Sequence, residues 1–196
     1  MNFRGTGGER FRKGLILFMV LGLVGSLLSG LLGSGNDRLG AATHLPSVAL
    51  LPVWPVDTSS DGLAGTESFD TDAWAGKGVL ITFWATWCGY CREEMPMLER
   101  LHQQYNGDDF AVVGITKENS LSRVQETLHK KGVTYSVYRD LGGLHRHFGV
   151  DPIPFHVFVG PDGSVVGDVT GRLDETDAHE RISAILTQVE ANRDEL

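Results

Sequence analysis

The chain contains only two cysteines, Cys88 and Cys91, and both lie in the run Phe83-Trp84-Ala85-Thr86-Trp87-Cys88-Gly89-Tyr90-Cys91-Arg92-Glu93-Glu94-Met95-Pro96. Two thiols with two residues between them, placed between an apolar strand and a charged helix, can close a disulfide and open it again. A bridge across so short a loop constrains the unfolded chain little, so it is a poor structural staple. Disulfide-held scaffolds carry four or more cysteines spread along the chain. Half of a zinc site is the main alternative, and it needs two further ligands. There is no second CxxC, and the seven histidines form no H-x3-H pair. His145 and His147, two apart in a polar stretch, read as surface residues. The pair is therefore expected to be a redox centre, with the Cys88–Cys91 disulfide itself as the active group and no other cofactor or metal.

The 196 residues have room for one ordinary domain and something more. The extra part is at the front, where Gly14 to Asn36 carries no charge and Gly14 to Gly33 is a run of Leu, Ile, Val, Phe and Met broken by Gly and Ser. Twenty such residues as a helix span about 30 Å, the thickness of a bilayer core. The run exceeds the apolar region of a cleaved signal peptide, and the best small pair, Ala41-Ala42, lies beyond Asp37 and Arg38. A retained anchor is expected over 14–36, after a basic cytoplasmic segment at 1–13. Arg4, Arg10, Arg12 and Lys13 stay on the cytoplasmic side and send the cysteines to the other, which tolerates disulfides. Residues 1–38 hold five Lys/Arg against two Asp/Glu, whereas the whole chain is net −8, so the remainder is strongly acidic. Such a domain is a poor partner for nucleic acid or anionic lipid; proteins or other thiols suit it better.

Residues 37–64, rich in Gly, Pro, Ser and Thr, are expected to form a tether with a weak edge strand or hairpin near Val48 to Leu51, leading into a folded domain over 65–192. Val79 to Ala85 and Phe110 to Thr116 read as strands buried on both faces, with a helix over 89–105 between them. Leu121 to Lys131 reads as a helix ended by Gly132, Tyr135 to Tyr138 as a short strand, and Leu141 to Phe148 as a short helix. Phe155 to Val159 and Val165 to Thr170 form a hairpin across Pro161-Asp162-Gly163, and a last amphipathic helix runs from Asp174 to about Asn192. The expected class is α/β, a central mixed sheet flanked by helices.

Only a thiolate attacks a disulfide, and an ordinary thiol is mostly protonated at neutral pH. At a strand exit and helix start, Cys88 meets unpaired backbone N–H groups and the positive end of the helix dipole, which favour its anion. Cys91, turned back under the helix, is the natural resolving thiol. Stepping from Cys91 by helical spacing gives Glu94, Leu98, Leu101 and Tyr105, which puts a carboxylate on the core-facing stripe; Arg92 and Glu93 lie off it. Glu94 either exchanges a proton with Cys91 or reaches solvent at the stripe's edge. Pro96 falls inside the helix and should bend it, unless the helix starts there. Trp84 reads as core and Trp87 as a substrate contact. Pro152 and Pro154 precede the hairpin strand, a place where proline shapes a special loop. Composition does not give the isomer.

Together these residues resemble the membrane-anchored thioredoxin-like proteins of the TlpA, ResA and CcmG group. FWATWCGYCREEMP matches FWATWC-x-x-C-x-x-E-x-P, and GVDPIPFHVFVGPDG resembles a later GV-x-x-x-P-T-x-F-x-x-x-x-x-G. The resemblance covers about 65–190 and implies a thioredoxin-like fold. It makes Cys88 the nucleophile, Cys91 the resolving thiol, Glu94 the active-site glutamate, and Pro154 a cis-proline against the disulfide. Substrate contacts are expected at Trp87, Gly89, Tyr90, Ile153 and Pro154. Phe155 stands where the family usually has Thr, and Val157 where it has Phe. Thr82 occupies the position of thioredoxin's buried Asp, which leaves Glu94 as the proton carrier. The family's central insertion falls around 119–148.

The resemblance further implies a thiol-disulfide reductase on the outer face of a bacterial cytoplasmic membrane. It would take electrons from a membrane thiol transporter of the CcdA or DsbD kind and reduce a protein disulfide, in apocytochrome c or a copper-site protein. Gly89-Tyr90 also occurs in periplasmic disulfide isomerases, so an isomerase or oxidase is the alternative. Those isomerases resemble dimers built on an added domain, which this sequence lacks, and a monomer is expected here. A copper chaperone is weaker, because thioredoxin-fold chaperones usually separate their cysteines by three residues. The closing Arg193-Asp194-Glu195-Leu196 is close to a KDEL-type retention signal, but it reads as the end of an acidic helix.

Overall fold

In the computed structural model, the described residues are 43–55, 69–141 and 143–194. The expected membrane span at 14–36 lies outside them. Among the described residues no helix is long and apolar enough to cross a bilayer. The elements in chain order are β1 (Ala49–Trp54), β2 (Phe69–Asp70), β3 (Gly78–Phe83), α1 (Gly89–Tyr105), β4 (Phe110–Thr116), α2 (Leu121–Lys131), β5 (Ser136–Asp140), α3 (Leu144–His147), β6 (Phe155–Val159), β7 (Val165–Thr170) and α4 (Glu175–Asp194). The sheet order is β2-β1-β5-β4-β3-β6-β7.

The two buried strands behave as their composition requires. All six residues of β3 are buried, and β3 pairs in parallel with β4 and antiparallel with β6. β4 pairs in parallel with β5, whereas β1 and β7 run antiparallel to β5 and β6. The sheet is therefore mixed. The expected edge strand sits one place in from the edge, because the two-residue β2 covers it. α1 starts at Gly89 and runs through Pro96, so the helix does not begin at the proline.

Two cores lie on opposite faces of the sheet. Leu80, Trp84 and Phe158 join Met95, Leu98 and Leu101 of α1 and Ile182 and Ile185 of α4, and both cysteines belong to this cluster. Val79, Ile81 and Phe83 of the other face meet Leu144, Phe148 and Phe155. Gly78 lies where a β-carbon would come within 2.3 Å of Ile185 Cγ2, so glycine is what lets α4 approach the start of β3.

His145 departs from its expected surface position, being only 7 % exposed. Its Nδ1 lies 2.8 Å from Oδ2 of Asp140, which also accepts the His145 backbone N–H, while Oδ1 accepts the N–H of Gly143. The last residue of β5 thus gathers the first turn of α3 around one carboxylate, and this draws the imidazole inward against Phe83. His147 stays exposed, with Nε2 2.9 Å from the His44 carbonyl.

A second inward carboxylate joins α1 to the start of β5. Glu99 accepts the backbone N–H of Thr134 at 2.7 Å, its hydroxyl at 2.5 Å and the Gln103 amide at 2.9 Å. Burial alone would raise its pKa, but these hydrogen bonds and nearby His102 outweigh it and hold the acid below the ordinary range. A folded pKa below the unfolded one contributes stability above the unfolded value and loses it as pH falls through the folded value. Glu99→Gln should accordingly lower the denaturation midpoint at pH 7, with the gap to wild type narrowing below about pH 4. Parallel denaturant titrations at the two pH values check this; an equal gap at both would contradict it.

Candidate active site

The site forms where β3 ends and α1 begins. Cys88 is the N-cap of α1, and its Sγ accepts the backbone N–H of Cys91 at 3.2 Å. The two sulfurs form a disulfide with Cα atoms 5.3 Å apart. On reduction, that N–H and the helix N-terminus favour negative charge on Cys88 Sγ. Cys88 is 6 % exposed and Cys91 3 % exposed, so little of either residue meets solvent. Flanking the pair, Trp87 and Tyr90 are 73 % and 61 % exposed. A β-carbon at Gly89 would meet nothing within 4 Å, so packing does not require glycine there.

The second wall is the turn into β6. The Ile153–Pro154 bond is cis, as is Asp151–Pro152. Cys88 Sγ lies 3.9 Å from the Ile153 carbonyl oxygen, so the residues before β6 face the nucleophile directly. Pro154 is buried and Ile153 half-buried. A groove of about 470 Å³ opens beside them, bordered by Trp84, Trp87, Glu118, His145 and Ile153. Phe155 points its ring into the far core against Phe83, 6.0 Å between ring centres, so its bulk serves packing behind the groove.

Glu94 faces the core, as helical spacing predicts, and is 3 % exposed; Arg92 and Glu93 are exposed. Its Oε1 accepts the Leu173 backbone N–H at 2.5 Å, which ties α1 to the segment after β7. Its Oε2 lies 3.6 Å from Nε2 of His156. Both Glu94 and Glu99 add to burial in raising the hydroxyl pKa of Tyr135, which packs on the same core. Glu94 also borders a groove of about 510 Å³ with Glu93, Arg100 and Arg172.

Two site residues escape the sequence reading. Glu118, just past β4, accepts the backbone N–H of Thr86 at 2.6 Å and its hydroxyl at 2.7 Å, fixing the turn that leads into Cys88. His156 is fully buried opposite Thr82 in the β3–β6 ladder. A histidine in the run Phe155-His156-Val157-Phe158, on the parity of the core residue Phe158, was the available signal for it. No group of three or more metal-ligating side chains occurs among the described residues.

Comparison with known proteins gives the family and the fold. A family model for Redoxin matches residues 44–186. The chain is 28 % identical to thiol-disulfide oxidoreductase ResA of Oceanobacillus iheyensis, over 83 % of this chain and 81 % of that protein. It is 24 % identical to ResA of Bacillus subtilis, over 89 % of this chain and 91 % of that protein. Thioredoxin-like protein YneN of Bacillus subtilis is 30 % identical, over 74 % of this chain and 81 % of its own length. Among solved structures, a putative thiol:disulfide interchange protein DsbE from Chlorobium tepidum superposes with a TM-score of 0.63 at 24 % identity, covering 76 % of this chain and 99 % of that one. That likeness shows the thioredoxin-like fold. With its CxxC pair closed as a disulfide at the start of α1, the chain belongs to the redoxin family, as a thiol-disulfide oxidoreductase of the TlpA, ResA and CcmG group.

Proposed function

We propose that the chain is a reductant of protein disulfides, tethered by residues 14–36 to the outer face of a bacterial cytoplasmic membrane. The observation that carries the reading is Cys88 Sγ, held at the start of α1 by the Cys91 N–H and facing the Ile153 carbonyl beside the groove. An extended substrate segment laid along Ile153 and Pro154 brings its own disulfide to that sulfur. The Cys88 thiolate attacks one substrate sulfur, a mixed disulfide forms and the other substrate sulfur leaves as thiolate. Cys91 then attacks Cys88 Sγ, closes the intramolecular disulfide and releases the reduced substrate. Two electrons pass to the substrate with no bound cofactor. A membrane thiol donor of the CcdA or DsbD kind would reopen the pair, and the chain would act as a monomer. Oxidised apocytochrome c or a copper-site protein is the substrate class that the resemblance favours. Exposed Trp87 and Tyr90 offer aromatic contact for such a partner.

The test is Cys91→Ser in the full-length chain, produced in a bacterial host. It should sediment with membranes, be digested by protease added to spheroplasts, and accumulate thiol-sensitive adducts on Cys88. A cytosolic protein without adducts would contradict the reading.

A further inference from the structure

His156 is an imidazole in an apolar setting. It is fully buried, two residues after Pro154, and neither ring nitrogen has a hydrogen-bond partner among the described residues. Burying such a group unpaired is costly, so its place calls for a physical reason. The polar atom opposite Nε2 is Glu94 Oε2 at 3.6 Å, the oxygen of that carboxylate left without a hydrogen bond while Leu173 holds the other. A few tenths of an ångström bring the two within hydrogen-bond length. Glu94 sits one helical turn beyond Cys91, on the same buried face of α1.

We propose that His156 is a positioning residue for disulfide exchange, giving a second seat to the proton that Glu94 takes from Cys91. The proposal rests on the reductase reading and deepens it. Once the mixed disulfide has formed, the Cys91 S–H bond breaks and its proton passes to Glu94. The Cys91 thiolate bonds to Cys88 Sγ, and the bond from Cys88 to the substrate breaks, leaving a substrate thiolate. The dithiol loses two electrons and the substrate gains them. The proton remains on the Glu94–His156 pair, as O–H···N or as O⁻···H–N⁺, until it leaves by the groove that Glu94 borders.

The strands that flank His156 bring no charge beside this pair. Thr82 and Val169, which flank His156 on β3 and β7, carry none. Burial, together with the charges of Glu99 and Glu94, raises the hydroxyl pKa of Tyr135; Glu99 is engaged by Thr134 and Gln103, and His102, edge-on to Tyr135, has its pKa lowered by burial. At the groove, Arg172 pairs with Glu93 and Arg100 with Glu175, leaving Asp174 at its rim.

His156→Gln in the full-length chain tests this, with the rate of the second exchange step followed from about pH 5 to about pH 9. The rate at neutral pH should fall about tenfold and the acidic limb of the profile should move. In a Glu94→Gln background the same substitution should change neither. A profile superimposable on wild type, or an equal effect in both backgrounds, would overturn the proposal. Should His156→Gln fail to fold, the ¹⁵N imidazole signals of His156 in otherwise wild-type protein decide. They should shift when Glu94→Gln is introduced, and unchanged signals would overturn it. Wild-type protein that reduces no protein disulfide would instead remove the reductase reading, and the proposal with it.

Discussion

Cys88→Ser should lower protein disulfide reduction by about a thousandfold or more while leaving the fold in place. The two halves of this expectation have separate causes. A serine hydroxyl stays protonated at neutral pH and cannot displace a thiolate, so the attacking step is lost. Serine is, however, a favoured helix N-cap and can still accept the Cys91 N–H that Cys88 Sγ now accepts. The lost disulfide joins residues only three apart, so the unfolded chain gains little entropy from its removal. Activity and thermal midpoint should therefore separate, with turnover near background and a midpoint within a few degrees of reduced wild type. Residual turnover within tenfold of wild type would show that Cys88 is not the nucleophile.

Phe83→Ala should lower stability by about 3–5 kcal/mol, the range for emptying a large buried aromatic site. Phe83 is fully buried at the end of β3. Its ring stands 4.8 Å from that of His145 and 6.0 Å from those of Phe148 and Phe155, measured between centres. It also pairs with Phe155 in the β3–β6 ladder, immediately after Pro154. The cavity would therefore open behind the wall that faces Cys88, and activity should decline along with stability. Phe83→Leu, which keeps most of the volume, should cost well under half as much. Urea denaturation of the three proteins measures this directly, and a loss under about 1 kcal/mol for the alanine variant would show that the second core is not packed as described.

These expectations draw unequally on what the sequence discloses. Apolar runs bounded by polar turns place β3, β4 and β6, because a strand buried on both faces leaves no other composition, whereas β7, half-buried and holding Gly167 and Asp168, is placed by the Pro161-Asp162-Gly163 turn before it. Helical spacing from Cys91 puts Glu94 inside α1, because one residue's facing follows from its neighbours on the same element. His145 goes astray because its facing is set by Asp140, which gathers the first turn of α3 across a glycine-containing loop. The short helix expected over 141–148 is present as α3, but nothing in the run Leu141-Gly142-Gly143-Leu144-His145-Arg146 announces that Asp140 would gather its first turn. Glu118 and His156 are missed for a related reason. Their partners, Thr86 and Glu94, lie on other elements and meet them only once the sheet has assembled. Residues that act within one element were legible; those that act between elements, Glu118 with Thr86 beyond the ends of β4 and β3 and His156 with Glu94 across β6 and α1, were not. The cis form of Ile153–Pro154 was reached through the family resemblance, not from composition.

The direction of electron flow is the centre of the functional account, and the reduction potential of the Cys88–Cys91 pair tests it most directly. Equilibration of the full-length chain with glutathione redox buffers, read by thiol trapping, gives the value. A protein-disulfide reductant should lie below about −200 mV, on the side of thioredoxin and the glutaredoxins. A value near about −120 mV, that of a strong oxidant, would contradict the account and make the chain a donor of disulfides.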